Sequence, residues 1–216
     1  MSHRAMIAGV GLIGGSIGMA LREQGWHVSG ADEDEKRLDE AKQLGAIDST
    51  GWDEEAEITF VATPVRDIPD LVKEALVAVP KGFVTDVGSV KASISKEIKD
   101  PRFVGGHPMA GSEQEGLIGA DSAMFSDANW VLTPTEDTGD EAFKRVREVI
   151  ISLGAEIVTL SPSRHDSLVA MVSHVPHLAA ATLMGLAANR SEEHFAVLRL
   201  AAGGFRDMTR IAAGNP

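Results

Sequence analysis

A histidine at position 107 sits between a pair of glycines and a proline, in the stretch FVGGHPMAGSE (103–113). Imidazole changes charge near neutral pH, so a neutral histidine can accept a proton there. The following proline has no N–H and restricts the residue before it. That predicts a break in the chain at His107, just past a short strand. An enzyme that oxidises an alcohol needs a group to take the hydroxyl proton as hydride leaves, and His107 suits that role. Ser89, in TDVGSVK (85–91), has a hydroxyl that can hold the same oxygen or orient the imidazole. The plainer alternatives are a buried turn histidine and a helix N-cap serine.

A second group of residues is arranged for a dinucleotide. GVGLIG, Gly9 to Gly14, follows an apolar strand and opens a helix. Gly9 allows the tight turn, Gly11 lets the backbone approach a pyrophosphate, and Gly14 lets helix and strand pack closely. Leu12 and Ile13 lie between them at the helix N-terminus, where free N–H groups and the dipole favour negative charge. Asp32 ends the next strand about twenty residues on, where a carboxylate accepts from a ribose 2′-hydroxyl; a helix N-cap is its alternative. A 2′-phosphate would meet Asp32, Glu33, Asp34 and Glu35, with Lys36 and Arg37 further along the helix, so like-charge crowding favours NAD over NADP. VATPV (61–65) ends a third strand and adds Thr63 and Pro64 to the cofactor site. Ligands of such sheets bind beyond the carboxyl ends of the strands, so Thr63, Ser89, Lys91 and His107 are expected to converge there.

The elements that position these residues read as strand alternating with helix. RAMIAGV, WHVSGAD, EITFVATP, GFVTDVG, RFVGG, NWVLTP and AEIVTL are compact apolar strands. Helical segments separate most of them, among them IGGSIGMALREQG, EDEKRLDEAKQLG, DIPDLVKEALVAVP, SVKASISKEIKD and GDEAFKRVREVIISLG. Near-continuous apolar strands separated by helices imply parallel pairing with both faces covered. The expected class is α/β, a Rossmann-type dinucleotide-binding domain over residues 1–160. From 161 the strand signal stops. SPSRHDSLVAMVSHVPHLAAATLMGLAAN, with Ser163 as its expected cap, and SEEHFAVLRLAAGGF read as an all-helical segment, 161–216, with little capacity for a core of its own.

Composition narrows the partners. The net charge of −12 argues against non-specific nucleic-acid binding and against an anionic membrane surface. There is no cysteine, so disulfides and thiolate metal sites are excluded. No apolar run approaches the ~18 residues of a membrane span, and the N-terminus lacks a signal pattern, so no membrane association and a cytoplasmic location are expected.

GVGLIGGS (9–16), TDVGSVK (85–91), GGHPMAGSEQEG (105–116), VLTPT (131–135), SHVPHL (173–178) and GGFRDMTRIAAGNP (203–216), in this order, resemble the prephenate and arogenate dehydrogenases of tyrosine biosynthesis. The first motif is generic to dinucleotide folds; the others are specific. The resemblance implies NAD-dependent oxidative decarboxylation of prephenate or arogenate, with His107 as catalytic base and Ser89 contacting the same hydroxyl. It implies that the SHVPH helix and the RDMTR segment line the substrate site, with Arg210 anchoring a carboxylate. Arginine offers the bidentate binding a dianion needs. His174 and His177, three apart, either face the substrate or serve as core and cap residues; a metal reading is poor without a third ligand. Ser112 and Glu113 are further substrate candidates, Glu113 as a partner of Arg210. His3, His27, His165 and His194 read as structural. The family continues past TRIAAGNP with helices that form most of a dimer interface, so the helical part reads as truncated: either the natural chain is longer, with a homodimer expected of the complete protein, or these residues are all it has and the chain is a dinucleotide-binding module without turnover.

Overall fold

The structure, a computed structural model, describes residues 3–112, 114, 116–191 and 199–213. It divides into two compact units, Met1–Asp166 and Ser167–Pro216. Eight strands build the first: Arg4–Ala8 (β1), His27–Ala31 (β2), Ser49–Thr50 (β3), Ile58–Val61 (β4), Phe83–Asp86 (β5), Phe103–Pro108 (β6), Asn129–Thr133 (β7) and Glu156–Thr159 (β8). They form one sheet in the order β3-β2-β1-β4-β5-β6-β7-β8. The order reverses between β1 and β4, and such a reversal opens a crevice at the strand ends.

Side chains alternate across the sheet as a pleated strand requires. On β1, Ala5 and Ile7 join a large core with Phe60, Trp130 and Leu132, while Ala8 joins Val61 and Val84 on the other face. Helices cover both faces: Leu12–Glu23 (α1), Glu35–Gln43 (α2), Ile68–Ala78 (α3), Ala92–Glu97 (α4) and Asp140–Ser152 (α5). Ala142, Val146, Val149 and Ile150 bury one stripe of α5, the spacing of an amphipathic helix. Asp34 caps α2 by accepting from the Lys36 N–H at 3.0 Å.

Three features depart from the sequence reading. The sheet is mixed: β7 runs antiparallel to β6 and parallel to β8. The segment between β6 and β7 holds a short 3₁₀ turn, Leu117–Gly119, in place of the crossover helix that parallel pairing needs. Second, β6 does not stop before His107; it continues through Pro108, pairing His107 with Val131 and Pro108 with Trp130. Its parallel ladder to β5 is confined to Phe103 and Val104, so the missing N–H of Pro108 falls at a strand end. Third, the two-residue edge strand β3 carries no apolar signal and was not anticipated.

Beyond Val104 a buried ion pair replaces the β5–β6 ladder. Lys91 and Asp86 are both fully buried and joined Nζ to Oδ2. The Lys91 ammonium also donates to the Gly106 carbonyl at 2.7 Å. The Asp86 carboxylate accepts from Gly88 N–H at 2.9 Å and Gly106 N–H at 3.2 Å. Burial pushes the Lys91 ammonium below its ordinary pKa, against the pull of Asp86 and Asp166 in the other direction. The glycine before His107 is required by this approach: a Cβ on Gly106 would lie 2.6 Å from the Asp86 carbonyl oxygen.

The second unit opens within a continuous helical run: Pro162–Val169 (α6), a π turn at Ala170–His174 and Val175–Ser191 (α7). Pro162 takes the first helical position, where its missing N–H costs nothing, so Ser163 lies inside the first turn and is not the cap. Pro176 cannot donate inside a helix, and the π turn immediately before it absorbs that defect. Contrary to the sequence reading, the helical run 162–189 is long and apolar enough by length and composition to cross a membrane, an 18-residue window within it having mean hydropathy 1.4. A shorter helix, Gly203–Thr209 (α8), leads into a 3₁₀ turn at Arg210–Ala213.

The buried pair carries a stability prediction. Lys91→Met strands the Asp86 carboxylate and should cost about 3–5 kcal/mol in urea denaturation. Adding Asp86→Asn should recover part of that loss, because no charge is then left buried. Equal stability of Lys91→Met and the parent would contradict the assignment.

Candidate active site

The crevice between β1 and β4 is a cavity of about 570 Å³, lined among others by Gly9, Gly11, Asp32, Arg37, Thr63 and Pro64. Gly9 turns the chain with φ +94°, and a Cβ there would lie 2.6 Å from the Ala62 carbonyl. Gly11, the N-cap of α1, faces open space, and the helix has no acidic residue in its first turn. Gly14 packs behind the cleft, where a Cβ would collide with the Gly9 carbonyl and lie 2.9 Å from Ile7 Cγ2. Leu12 and Ile13 are half-buried in the first turn of α1 and do not line the cavity.

Asp32 is not the cap of α2, since Asp34 is. Its carboxylate accepts from Val10 N–H and Asp34 N–H, each at 3.0 Å, which ties the end of β2 to the glycine loop. Arg37 lies closer than the sequence reading placed it. It is one turn into α2, and its Nη1 reaches back to both carboxylate oxygens of Asp32, at 2.9 and 3.1 Å. Asp32 is 4% exposed and Arg37 42%, so the acid is covered and the guanidinium faces the cleft. Thr63 Oγ1, on the β4 side, is buried with no partner among the described residues. Trp52 also lines the cavity and donates from Nε1 to Glu74 at 2.9 Å. Neither Trp52 nor the return of Arg37 had a signal in local spacing.

His107, half-buried on β6, lies 2.9 Å through Nδ1 from Nε2 of His165, with the rings edge to face at 5.1 Å. His165, read from sequence as structural, is fully buried and bonds through Nδ1 to Asp166 Oδ1 at 2.8 Å. Asp166 accepts in turn from the backbone N–H of Lys91 at 2.8 Å and of Ala92 at 2.9 Å, which caps α4 from 75 residues away. Burial alone would raise the Asp166 carboxyl, but hydrogen bonds from His165, Ala92 and Lys91 hold it below the usual carboxylate range. The adjacent pair in RHDS was the available clue to this chain of groups.

The other candidates sort as follows. Ser89 is half-buried in the loop after β5 and does not cap α4, whose N-cap is Lys91. Lys91 does not join the expected convergence at the strand ends, because its ammonium is fully buried against Asp86. Ser112 is exposed and accepts from Gln114 N–H at 3.1 Å. Glu113 and His194 lie outside the described residues. His174, at the end of the π turn, and His177, in α7, are half-buried, and Arg210 is exposed; all three belong to the second unit.

Residues 17–159 match the family model described as the nucleotide-binding domain of prephenate dehydrogenase, and residues 161–216 match its dimerization domain. The chain is 34% identical to the prephenate dehydrogenase of Bacillus subtilis (strain 168); the match takes in 100% of this chain and 62% of that protein. It therefore spans less than two thirds of that relative's length. The crystal structure of prephenate dehydrogenase from A. aeolicus in complex with hydroxyphenyl propionate and NAD+ matches with TM-score 0.88 at 29% identity, over 100% of this chain and 80% of that one. The crystal structure of Synechocystis arogenate dehydrogenase matches with TM-score 0.80 at 34% identity, over 99% and 80%. With a glycine-lined cleft in the first unit and family matches running through both, the chain belongs to the prephenate dehydrogenase family.

Proposed function

We propose that this chain is the dinucleotide-binding domain (1–160) and the start of the helical substrate and dimerisation domain (161–216) of an NAD-dependent, cytoplasmic prephenate dehydrogenase. The observation that carries this reading is the glycine-lined cleft with a covered carboxylate, Asp32, at the end of β2. The cleft fits the cofactor in three ways. Space stands open over Gly11, the Thr63 hydroxyl is buried without a partner among the described residues, and Asp32 lies where a ribose hydroxyl would be held. NAD+ bound there supplies the hydride acceptor.

His107 then takes the proton of the ring C4 hydroxyl as hydride leaves C4. The ketone formed is conjugated with the carbon that bears the ring carboxylate. Loss of CO₂ sends the C–C bonding electrons through the ring to that oxygen, which regains a proton as the ring becomes aromatic. Ser89 holds the same hydroxyl. Arg210 binds a carboxylate of a dianion that the acidic chain would otherwise repel, and His174, His177, Ser112 and Glu113 are further candidates for substrate binding. Arogenate, with an amine in place of the side-chain ketone, is the alternative substrate. The likeness to the Synechocystis enzyme keeps it open. The match to a dimerization domain, and the exposed Met171, Val172, Val175, Leu178 and Leu186 of the long helix, support a homodimer.

The test is formation of reduced cofactor from NAD+ with prephenate and, separately, with arogenate. Turnover with prephenate is expected. Binding of NAD+ without turnover of either substrate would make the chain a dinucleotide-binding module only. His107→Asn should keep the Kd for NAD+ and lower kcat by about 10²–10⁴; a near-normal kcat would remove His107 as the base. Arg210→Ala should raise KM for prephenate by roughly tens of fold, the loss of one partner in a charge pair, and leave NAD+ binding alone.

Cofactor choice gives a separate prediction. The parent should prefer NAD+ to NADP+. Asp32→Ser should shrink the preference by about 10–100-fold, the scale of one hydrogen bond to a charged group plus relief of repulsion. The gain should depend on Arg37, whose guanidinium would then be released to meet a 2′-phosphate, so Arg37→Ala in the Asp32→Ser background should abolish it. Equal affinities for both cofactors in the parent would contradict the role of Asp32.

A further inference from the structure

We infer that His165 and Asp166 are positioning residues for His107, forming a carboxylate–imidazole–imidazole chain that fixes which nitrogen of His107 is basic. The inference rests on the reading of His107 as the base and extends it to groups that touch neither substrate nor cofactor.

The proton positions follow from the donors and acceptors present. Asp166, ionised, can only accept, and it already takes the Lys91 and Ala92 N–H groups. The His165 Nδ1 facing Asp166 Oδ1 at 2.8 Å must therefore carry a hydrogen. In its neutral form the His165 ring has one N–H. Its Nε2 is then a lone pair. The atom facing that lone pair at 2.9 Å is His107 Nδ1, which must donate. Neutral His107 consequently holds its own lone pair at Nε2.

The arrangement does three things for a general base. It removes the unproductive tautomer, the role a buried carboxylate plays toward the histidine of a serine protease triad. It orients the ring, because the two imidazoles meet edge to face at 74°. It also gives the positive charge a place to spread. When His107 Nε2 takes the substrate proton, the Nδ1–H bond to His165 becomes charge-assisted, and Asp166 balances it one ring further on. The chain of groups gains one proton, at His107 Nε2, and gives it back when the product oxygen is protonated.

The buried Asp86–Lys91 pair sets the distance. Lys91 Nζ holds the Gly106 carbonyl, next to His107, while the Lys91 and Ala92 backbone holds Asp166. Both ends of the histidine chain are thus fastened to the same short segment.

The test is the tautomer of His107, read from nitrogen-15 NMR of the labelled protein at about pH 8, above the ordinary histidine pKa of about 6.5. The signals are assigned by their loss in His107→Asn. The Nδ1–H form is expected in the parent, and this readout needs no substrate. His165→Leu should lose that excess and lower kcat by at least about tenfold with KM and the Kd for NAD+ unchanged. His165→Gln, which can both accept and donate, should retain more of each. If His165→Leu does not fold, the parent spectrum still decides, because an Nε2–H tautomer of His107 there overturns the inference. A folded His165→Leu variant with the parent kcat overturns it as well. An active enzyme with the Nε2–H tautomer sinks this inference alone. Absence of turnover in a protein with the Nδ1–H tautomer sinks the proposed reaction and leaves the histidine geometry standing.

Discussion

One buried ion pair sets the geometry of the His107 side of the first unit. Lys91 and Asp86 are both without solvent exposure. Taking two charges out of water is costly, and their attraction offsets that cost only when the remaining hydrogen-bonding capacity is filled. Here it largely is: Gly106 supplies both a carbonyl to Lys91 and an N–H to Asp86, and Gly88 supplies a second N–H. The pair stands where the backbone ladder between β5 and β6 ends, at Thr85 and Val104. A side-chain clamp thus takes over from backbone pairing one residue before His107. With the clamp in place, β6 can leave β5 and turn its last residues to the antiparallel partner β7.

The cofactor side depends on a different economy, that of absent side chains. Gly9, Gly11 and Gly14 leave room for a turn, for open space and for close packing respectively. Asp32 closes the loop from the other strand by accepting Val10 N–H. The crevice and the histidine chain therefore rest on separate interactions within one sheet. That separation explains why a change at His107 can be expected to spare nucleotide binding.

What the sequence made legible was local. The glycine spacing, the strand before it and Asp32 about twenty residues on all lie within one strand–helix–strand unit, and the structure places them around one cleft. The apolar runs announced most strands and the stripe of α5 announced its buried face. Contacts across long separations were not legible. The bonds of Asp166 to Lys91 and Ala92 span some 75 residues, and Trp52 reaches the cleft from a loop. Proline misled at Pro108, because proline was read as a break, while a strand end with no parallel neighbour tolerates it. Lysine misled at Lys91, where a charge that reads as a cleft residue is a core residue made tolerable by its partner. In the second unit the helical period was plain, but the π turn that accommodates Pro176 has no counterpart in hydrophobic spacing.

Amide hydrogen exchange at Gly106, compared with Ile7 on the central strand β1, tests most directly whether the buried pair fastens the histidine strand. The Gly106 N–H donates to Asp86, so in the parent protein it should be protected to a degree close to that of Ile7. In Lys91→Met the Gly106 amide should lose protection by at least about tenfold more than Ile7, the signature of a local opening around β6. Parallel loss at both amides would mean that Lys91 supports only the global fold, and that the position of His107 is set by something other than this pair.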